Sequence, residues 1–206
     1  MAARTGTRER LIDAAQQALI DGAGEMEMQA VAQRAKASVG LAYHHFGSRA
    51  GLIAAVVDRF YRRLDAAAFT NAALPGGSWA ARERQRVAAY VDFHYAHPLA
   101  PLVIGALSRS PDLQVVETAF TERQLVAGGR MIAAAQRDGI IGSAIDPEVI
   151  IALMIGGIRQ ALIAALARHP RPAADQLTSE IWTFMTAALR LSERAQAPLP
   201  PEQAAD

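Results

Sequence analysis

The stretch that decides the fold is Val31 to Leu52, VAQRAKASVGLAYHHFGSRAGL. It reads as a short helix, a tight turn, a second helix and a new helix start. Ser38 stands where a helix N-cap belongs, because its hydroxyl accepts one of the free backbone N–H groups at the helix start. Val39 to Phe46 is then a helix of about two turns, too short to be stable alone. It carries Gly40 and a cluster of surface-type rings, Tyr43, His44 and His45. Two short helices joined by a few residues form a helix-turn-helix, and the major groove of DNA admits one such helix.

Working outward, helical periodicity dominates and no strand-like alternation persists. A first helix is expected from about Thr7 to Ile20, with Ile12, Ala15 and Leu19 as its apolar stripe. Gly22 and Gly24 break it. The second helix runs from Glu27 to Ala35, Lys36-Ala37 is the turn, Gly47 stops the third helix and Ser48 caps the fourth. The fourth runs from Arg49 to Phe69, and Leu52, Val56, Phe60 and Leu64 place one face inward. Further helices are expected from Ser78 to before Pro98, from Leu99 to Arg109, from Pro111 to Gly139, from Pro147 to Arg168 and from Asp175 to Arg194. Ser110-Pro111-Asp112 and Asp146-Pro147-Glu148 are matching starts: a capping side chain, a proline at the first helical position and an acid facing the helix dipole. The chain is therefore all-α, about nine helices. It divides into a helix-turn-helix domain over 1–48 with a linking helix 49–69, a larger helical domain over 70–196, and a Pro-rich polar tail over 197–206 expected to be disordered.

The ordered set Val31-Ala32, Ala35, Ser38, Gly40, Tyr43, His45-Phe46, Ser48-Arg49 and Leu52 resembles the N-terminal domain of tetracycline-repressor-type (TetR family) transcriptional regulators. The resemblance covers the first 65 residues or so; beyond them the chain shares only length and helical character. It implies a homodimeric, ligand-responsive repressor that binds a palindromic double-stranded operator, with an effector-binding and dimerisation domain behind the helix-turn-helix. It also implies that Arg49, the cation before the fourth helix, meets a phosphate. Three positions depart from the family pattern. Lys36 stands where glycine is usual, Glu27 where a capping threonine is common, and Leu41 where a hydroxyl residue is common.

The residues themselves suit that chemistry. A tyrosine hydroxyl at Tyr43 fits a phosphate oxygen, and His44 can donate to phosphate or base. Ser38 and the helix start it caps can hold a phosphate, and Lys36 adds a phosphate contact. Gly40 lets the backbone approach closely. Val39, Leu41 and Ala42 offer apolar contacts such as thymine methyls. Arg4, Arg8 and Arg10 are read as a flexible basic arm. Phe46 is read as a core residue against the first helix, and His45 as a helix-end histidine.

Composition limits the rivals. The 206 residues are 51% hydrophobic with a net charge of +1, so no global basic field marks nucleic acid and the DNA reading rests on local charge. There is no cysteine, hence no disulfide or thiolate chemistry. No apolar core follows the basic N-terminal residues, so no signal peptide is read and a cytoplasmic chain is expected. No phosphate-cradling glycine motif, nucleophile elbow or paired metal ligands are found. No catalytic or metal site and no cofactor are expected. The alternatives are a helical ligand-binding or interaction protein that has lost DNA binding, and an all-helical enzyme.

In the larger domain Tyr90, Phe93, His94 and His97 recur at helical spacing and either line a ligand cavity or are ordinary core and surface residues. Arg159 and Gln160 interrupt the apolar run Val149 to Ala167, as pocket groups or interface partners. A mid-helix arginine disfavours a membrane span there, and a buried helix of a soluble bundle is expected instead. A homodimer is expected from the last two helices, through Ile155, Gly156, Gly157, Ile181, Phe184 and Met185. Gly156-Gly157 either admits a neighbouring helix or packs within the chain.

Overall fold

A computed structural model describes residues 6–70, 77–107 and 111–196. Every long element among them is a helix: α1 Thr7–Asp21, α2 Met28–Arg34, α3 Val39–Phe46, α4 Arg49–Asp65, α5 Trp79–Ala96, α6 Pro111–Arg137, α7 Pro147–Ala167 and α8 Ala174–Leu189. The chain continues α4 with a π-helical turn over Ala66–Thr70. The helix expected from Leu99 to Arg109 is a short helical stretch with π geometry over Leu102–Ala106, and a 3-10 turn, Glu193–Gln196, follows α8. Arg4, Ser110 and the tail 197–206 lie outside the described residues.

Contacts divide the chain into two compact units. The first is Met1–Arg63 with His97–Ala119, the second Leu64–Ala96 with Phe120–Asp206. Residues 97–119, placed by sequence in the larger domain, group with the N-terminal unit.

In the first unit α1 buries Leu11, Ile12, Ala15 and Leu19, α2 buries Val31 and Ala32, and α4 buries Leu52, Val56 and Phe60. Leu11, Ala15 and Leu19 recur at four-residue spacing, as do Leu52, Val56 and Phe60, and on α2 Val31 and Ala32 lie three and four residues after the buried Met28. Full burial of such a side chain contributes about 1.5–3 kcal/mol relative to exposure, which offsets the poor intrinsic stability of the short α2 and α3. Arg59, on the core side of α4, is buried and reaches back to α1, donating to Asp13 and, at 2.9 Å, to Gln16 Oε1. Paired in this way it orients α4 on α1 more than it adds stability. His97 sits in this unit with its ring 5.0 Å from that of Phe60, edge to face, and its Nδ1 accepts from Leu99 N. Burial, then Arg63 and Arg59, pull its imidazole below the usual histidine value.

In the second unit α8 packs on α5 and α7. Leu177, Ile181, Met185 and Leu189 form the buried stripe of α8, and Trp79, Val87, Val91 and His94 that of α5. Asp146 caps α7 by accepting from Glu148 N (2.8 Å) and Val149 N (3.2 Å), with Pro147 in the first turn. Gly139, at φ +68°, ends α6. Ser192 ties the chain after α8 to that corner, donating to Gly139 O and Ile140 O. A Cβ at Gly128 of α6 would stand 2.5 Å from Ile151 Cδ1 of α7, so that glycine is required by the crossing of the two helices.

Helix α7 is covered in part. It is apolar along most of its length, yet only 33% of its most apolar 18 residues are buried. Val149 (51% exposed) and Leu153 (63%) lie open, as do Gly156 and Gly157. About a third of the apolar run is core and the rest is open or half-covered, because the helices packed on it cover one side alone.

Candidate nucleic-acid interface

The local chemistry of α2, the turn and α3 builds one exposed face. Glu27 occupies the N-cap of α2 with extended backbone but makes no side-chain capping bond. After Arg34 the chain turns through Lys36 N donating to Gln33 O (3.1 Å) and Ala37 N to Ala32 O (3.0 Å). Lys36 closes this turn at φ +53°, the left-handed region that glycine enters freely and a lysine enters at a cost of about 1 kcal/mol. Ser38 then caps α3, its Oγ accepting from Leu41 N at 3.1 Å. Gly47 stops the helix at φ +72°, its N–H donating to Tyr43 O, and Ser48 Oγ accepts from Gly51 N to start α4.

Of the eight residues of α3 only Ala42 is buried. Gly40, Tyr43 and His44 share one exposed face at three- and four-residue spacing, with Ser38 and Lys36 exposed beside its start and Val39 and Leu41 half-buried. Tyr43 is 46% exposed, so its ring is not held by the core. A Cβ at Gly40 would meet no atom within 4 Å. Nothing inside the chain requires a glycine there. Phe46 is half-buried with the Arg8 guanidinium 5.4 Å above its ring, which fits its reading as a residue packed against α1.

The charges near this face are sorted by their partners. Arg8 and Arg10 lie on α1, not on a flexible arm, because helical pairing begins at Thr7. Arg10 donates to Ala35 O and Thr7 Oγ1. Arg34 pairs with Asp21 at 3.0 Å; Gln17 and Arg34 hold that carboxyl below its ordinary range. Arg49, expected to meet a phosphate, donates through Nε to Met26 O (2.9 Å) and through its terminal nitrogen to Glu25 (2.7 Å). It fastens the α1–α2 loop to the start of α4.

Two features of the site escaped the sequence reading. Met28 to Val57 contains no Asp or Glu and three cations, Arg34, Lys36 and Arg49, a local positive field inside a nearly neutral chain. Counting charge by segment finds it. Gly51 is the second: a Cβ there would stand 2.1 Å from Phe46 O, so this glycine sets how tightly α3 turns into α4. No local signal announces it.

Three of the residues named for a ligand lie together on α5. Tyr90 lies 4.4 Å from His94 and Phe93 5.7 Å from His94, ring to ring, and Tyr90 also meets Phe69 at 6.4 Å. His94 is buried and its Nδ1–H donates to Tyr90 O. His97 belongs to the first unit. Arg159 is half-buried on α7. Among the dimer residues Ile181 and Met185 are buried inside the protomer, Ile155 is half-buried, and Phe184 (58%), Gly156 and Gly157 are exposed. A Cβ on either of those two glycines would meet nothing within 4 Å. Among the described residues no three His, Cys, Asp or Glu side chains gather as metal ligands.

Residues 11–56 match the family model described as bacterial regulatory proteins, tetR family. No curated protein sequence matches the chain. The fold is shared with Salmonella enterica GusR (23% identity, TM-score 0.70, covering 89% of this chain and 95% of that one). It is shared as well with the fatty acid degradation regulator FadR from Bacillus halodurans (14%, TM-score 0.72, 92% and 100%). A TetR-like transcriptional regulator from Rhodococcus sp. RHA1 superposes at 19% identity, TM-score 0.68, 92% and 99% coverage.

Proposed function

We propose that this chain, a TetR-type transcriptional regulator by its N-terminal domain and its fold, is a cytoplasmic repressor that binds a palindromic duplex operator as a homodimer and releases it when a small molecule binds the second unit. The observation that carries the DNA reading is Gly40. Gly40 stands in the first turn of α3, where it has no advantage over alanine as a helix former, and no internal contact requires it. The reason for it lies outside the protomer, where a surface must approach the α3 backbone closely. Tyr43, His44, Ser38 and Lys36 surround that point with donors, and no carboxylate lies between Glu27 and Asp58 to repel phosphate.

The dimer reading rests on α7 and α8. The open face of α7, Val149, Leu153, Gly156 and Gly157, and the exposed Phe184 of α8 form apolar surface that a second copy would cover, four helices in a bundle. A two-fold axis then presents two copies of α3 to half-sites about one DNA turn or its multiples apart.

The test is enrichment of binding sequences from a random duplex pool, followed by affinity measurement at fixed salt. A palindromic site should emerge. Tyr43→Ala should weaken binding about tenfold, and similarly across sequences, because a phosphate contact carries no base preference. Its melting temperature should stay that of the parent, since the ring is exposed. A protein that enriches no sequence, or a Tyr43→Ala variant that binds as the parent does, sinks the reading.

A further inference from the structure

Helix α5 holds a charge arrangement inside the second unit that DNA binding does not use. Glu83 is buried, and Arg86 donates to its Oε1 at 2.5 Å while standing 3.1 Å from Met131 Sδ of α6. Arg82, one helical turn before Arg86, is half-buried on the same side of α5. Its Nε is closed off from solvent and has no hydrogen-bond partner; the same holds for Oε1 of Gln85, between them in sequence. One buried carboxylate therefore faces two guanidinium groups. Burial pulls Arg82 below the ordinary arginine value, Glu83 pushes it back up, and Arg86 lowers it again. Burial raises Glu83, against Arg86 and Arg82, which lower it.

Buried polar atoms are normally hydrogen-bonded, and an enclosed excess of positive charge is ordinarily met by an anion. Arginine is the side chain suited to take a carboxylate through paired N–H donors. Further along the helix, Tyr90 stands one turn beyond Arg86 and Phe93 a turn beyond that. Their rings, with those of Phe69 and His94, make a continuous aromatic group. From Arg86 to Phe93 the helix rises about 10 Å.

We propose that the effector is an amphipathic organic acid whose carboxylate is held by Arg82 and Arg86, beside Gln85, with its apolar or aryl body lying along Tyr90 and Phe93. Arg82 Nε–H and an Arg86 N–H donate to the carboxylate oxygens, and the Gln85 amide supplies a third polar group. Glu83 holds Arg86 in place and limits the site to a single negative charge. The proposal rests on the effector reading given above for the second unit.

The experiment is calorimetric titration of the full-length protein with octanoate and 3-phenylpropanoate, each beside its neutral counterpart, octanol and 3-phenylpropanamide. Gel shifts with the enriched duplex run in parallel. At least one acid should bind tenfold or more tightly than its neutral partner. Arg82→Met should abolish that preference while keeping the helical circular-dichroism signal and DNA affinity of the ligand-free parent, and Arg82→Lys should restore part of it. Neutral compounds binding as well as the acids, an Arg82→Met variant that keeps the preference, or no binding by either acid would each overturn the proposal. An acid that binds through Arg82 yet leaves DNA affinity unchanged would overturn the effector reading and leave the acid site standing. DNA release by the neutral compounds alone would do the reverse.

Discussion

Helices α3 and α7 both carry glycine that the protomer does not need, and they differ in what surrounds it. On α3 the open glycine has Tyr43 and His44 at three- and four-residue spacing and a serine cap in front. On α7 the open pair Gly156-Gly157 lies among Val149, Leu153 and Ile158, with the polar Arg159 and Gln160 following. Other glycines are demanded from within, as Gly51 is by Phe46 O and Gly128 by Ile151, while Gly105 is as open as Gly40. The contrast separates two kinds of missing side chain. One lets the chain fold; the other makes room for something that is not this chain. The neighbours then tell which: donors beside Gly40 suit phosphates and base edges, and aliphatic side chains beside Gly156-Gly157 suit another helix.

The sharpest way to break this comparison is at α7. Gly157→Glu adds a charge to the open apolar face without touching the protomer's own packing. Light scattering at micromolar concentration should show a dimer for the parent and a monomer for the variant, and DNA affinity should fall about a hundredfold with loss of the second half-site. A parent that runs as a monomer removes the α7 half of the argument. The next effect is smaller. Gly40→Ala, in the first turn of α3, should leave the stability of the folded chain unchanged or raise it by up to about 0.5 kcal/mol in denaturant titration and lower DNA affinity about tenfold. If affinity is unchanged, the space over Gly40 has no occupant. The smallest effect is at the turn. Lys36→Gly relieves a left-handed lysine and should stabilise the chain by about 1 kcal/mol. It should also weaken DNA binding a fewfold at every sequence and flatten the salt dependence by about one ion.

Much of this was legible before any coordinates, and what was legible was local. Ser38, Ser48 and Asp146-Pro147 act on backbone N–H groups within three residues, so residue type and position sufficed to place the starts of α3, α4 and α7. The positive φ at Gly47 and Gly139 follows from the same local chemistry. Lys36 in a turn where glycine is usual marked a left-handed residue, and φ is +53°. What depended on distant partners was not legible. Arg49 looked available to a phosphate because Glu25 lies 24 residues away in sequence. His94 and His97 shared a helical spacing only on the assumption that the helix continued, and α5 ends at Ala96. The hydropathy of α7 measures how much apolar surface the helix owns and says nothing of which residues its neighbours cover, so the sequence could not single out Val149 and Leu153 as the open ones. The aromatic run on α5 was recognised, but the Glu83–Arg86 pair beside it was not, because charged residues one turn apart more often sit in solvent.

The tie between Arg49 and Glu25 has a consequence for how affinity and ionic strength relate in this protein. Duplex DNA carries a layer of condensed cations, and a protein sets them free as its own cations take their places, so affinity falls with added salt in proportion to the phosphates neutralised. Arg49 is already neutralised by a carboxylate 2.7 Å away. If it turns to a phosphate it abandons one anion for another and still displaces a condensed cation, whereas the lone exposed carboxylate left at Glu25 condenses none. The salt dependence of operator binding therefore still counts Arg49, and the lost pair shows instead as a lower affinity, worth at most about 1 kcal/mol.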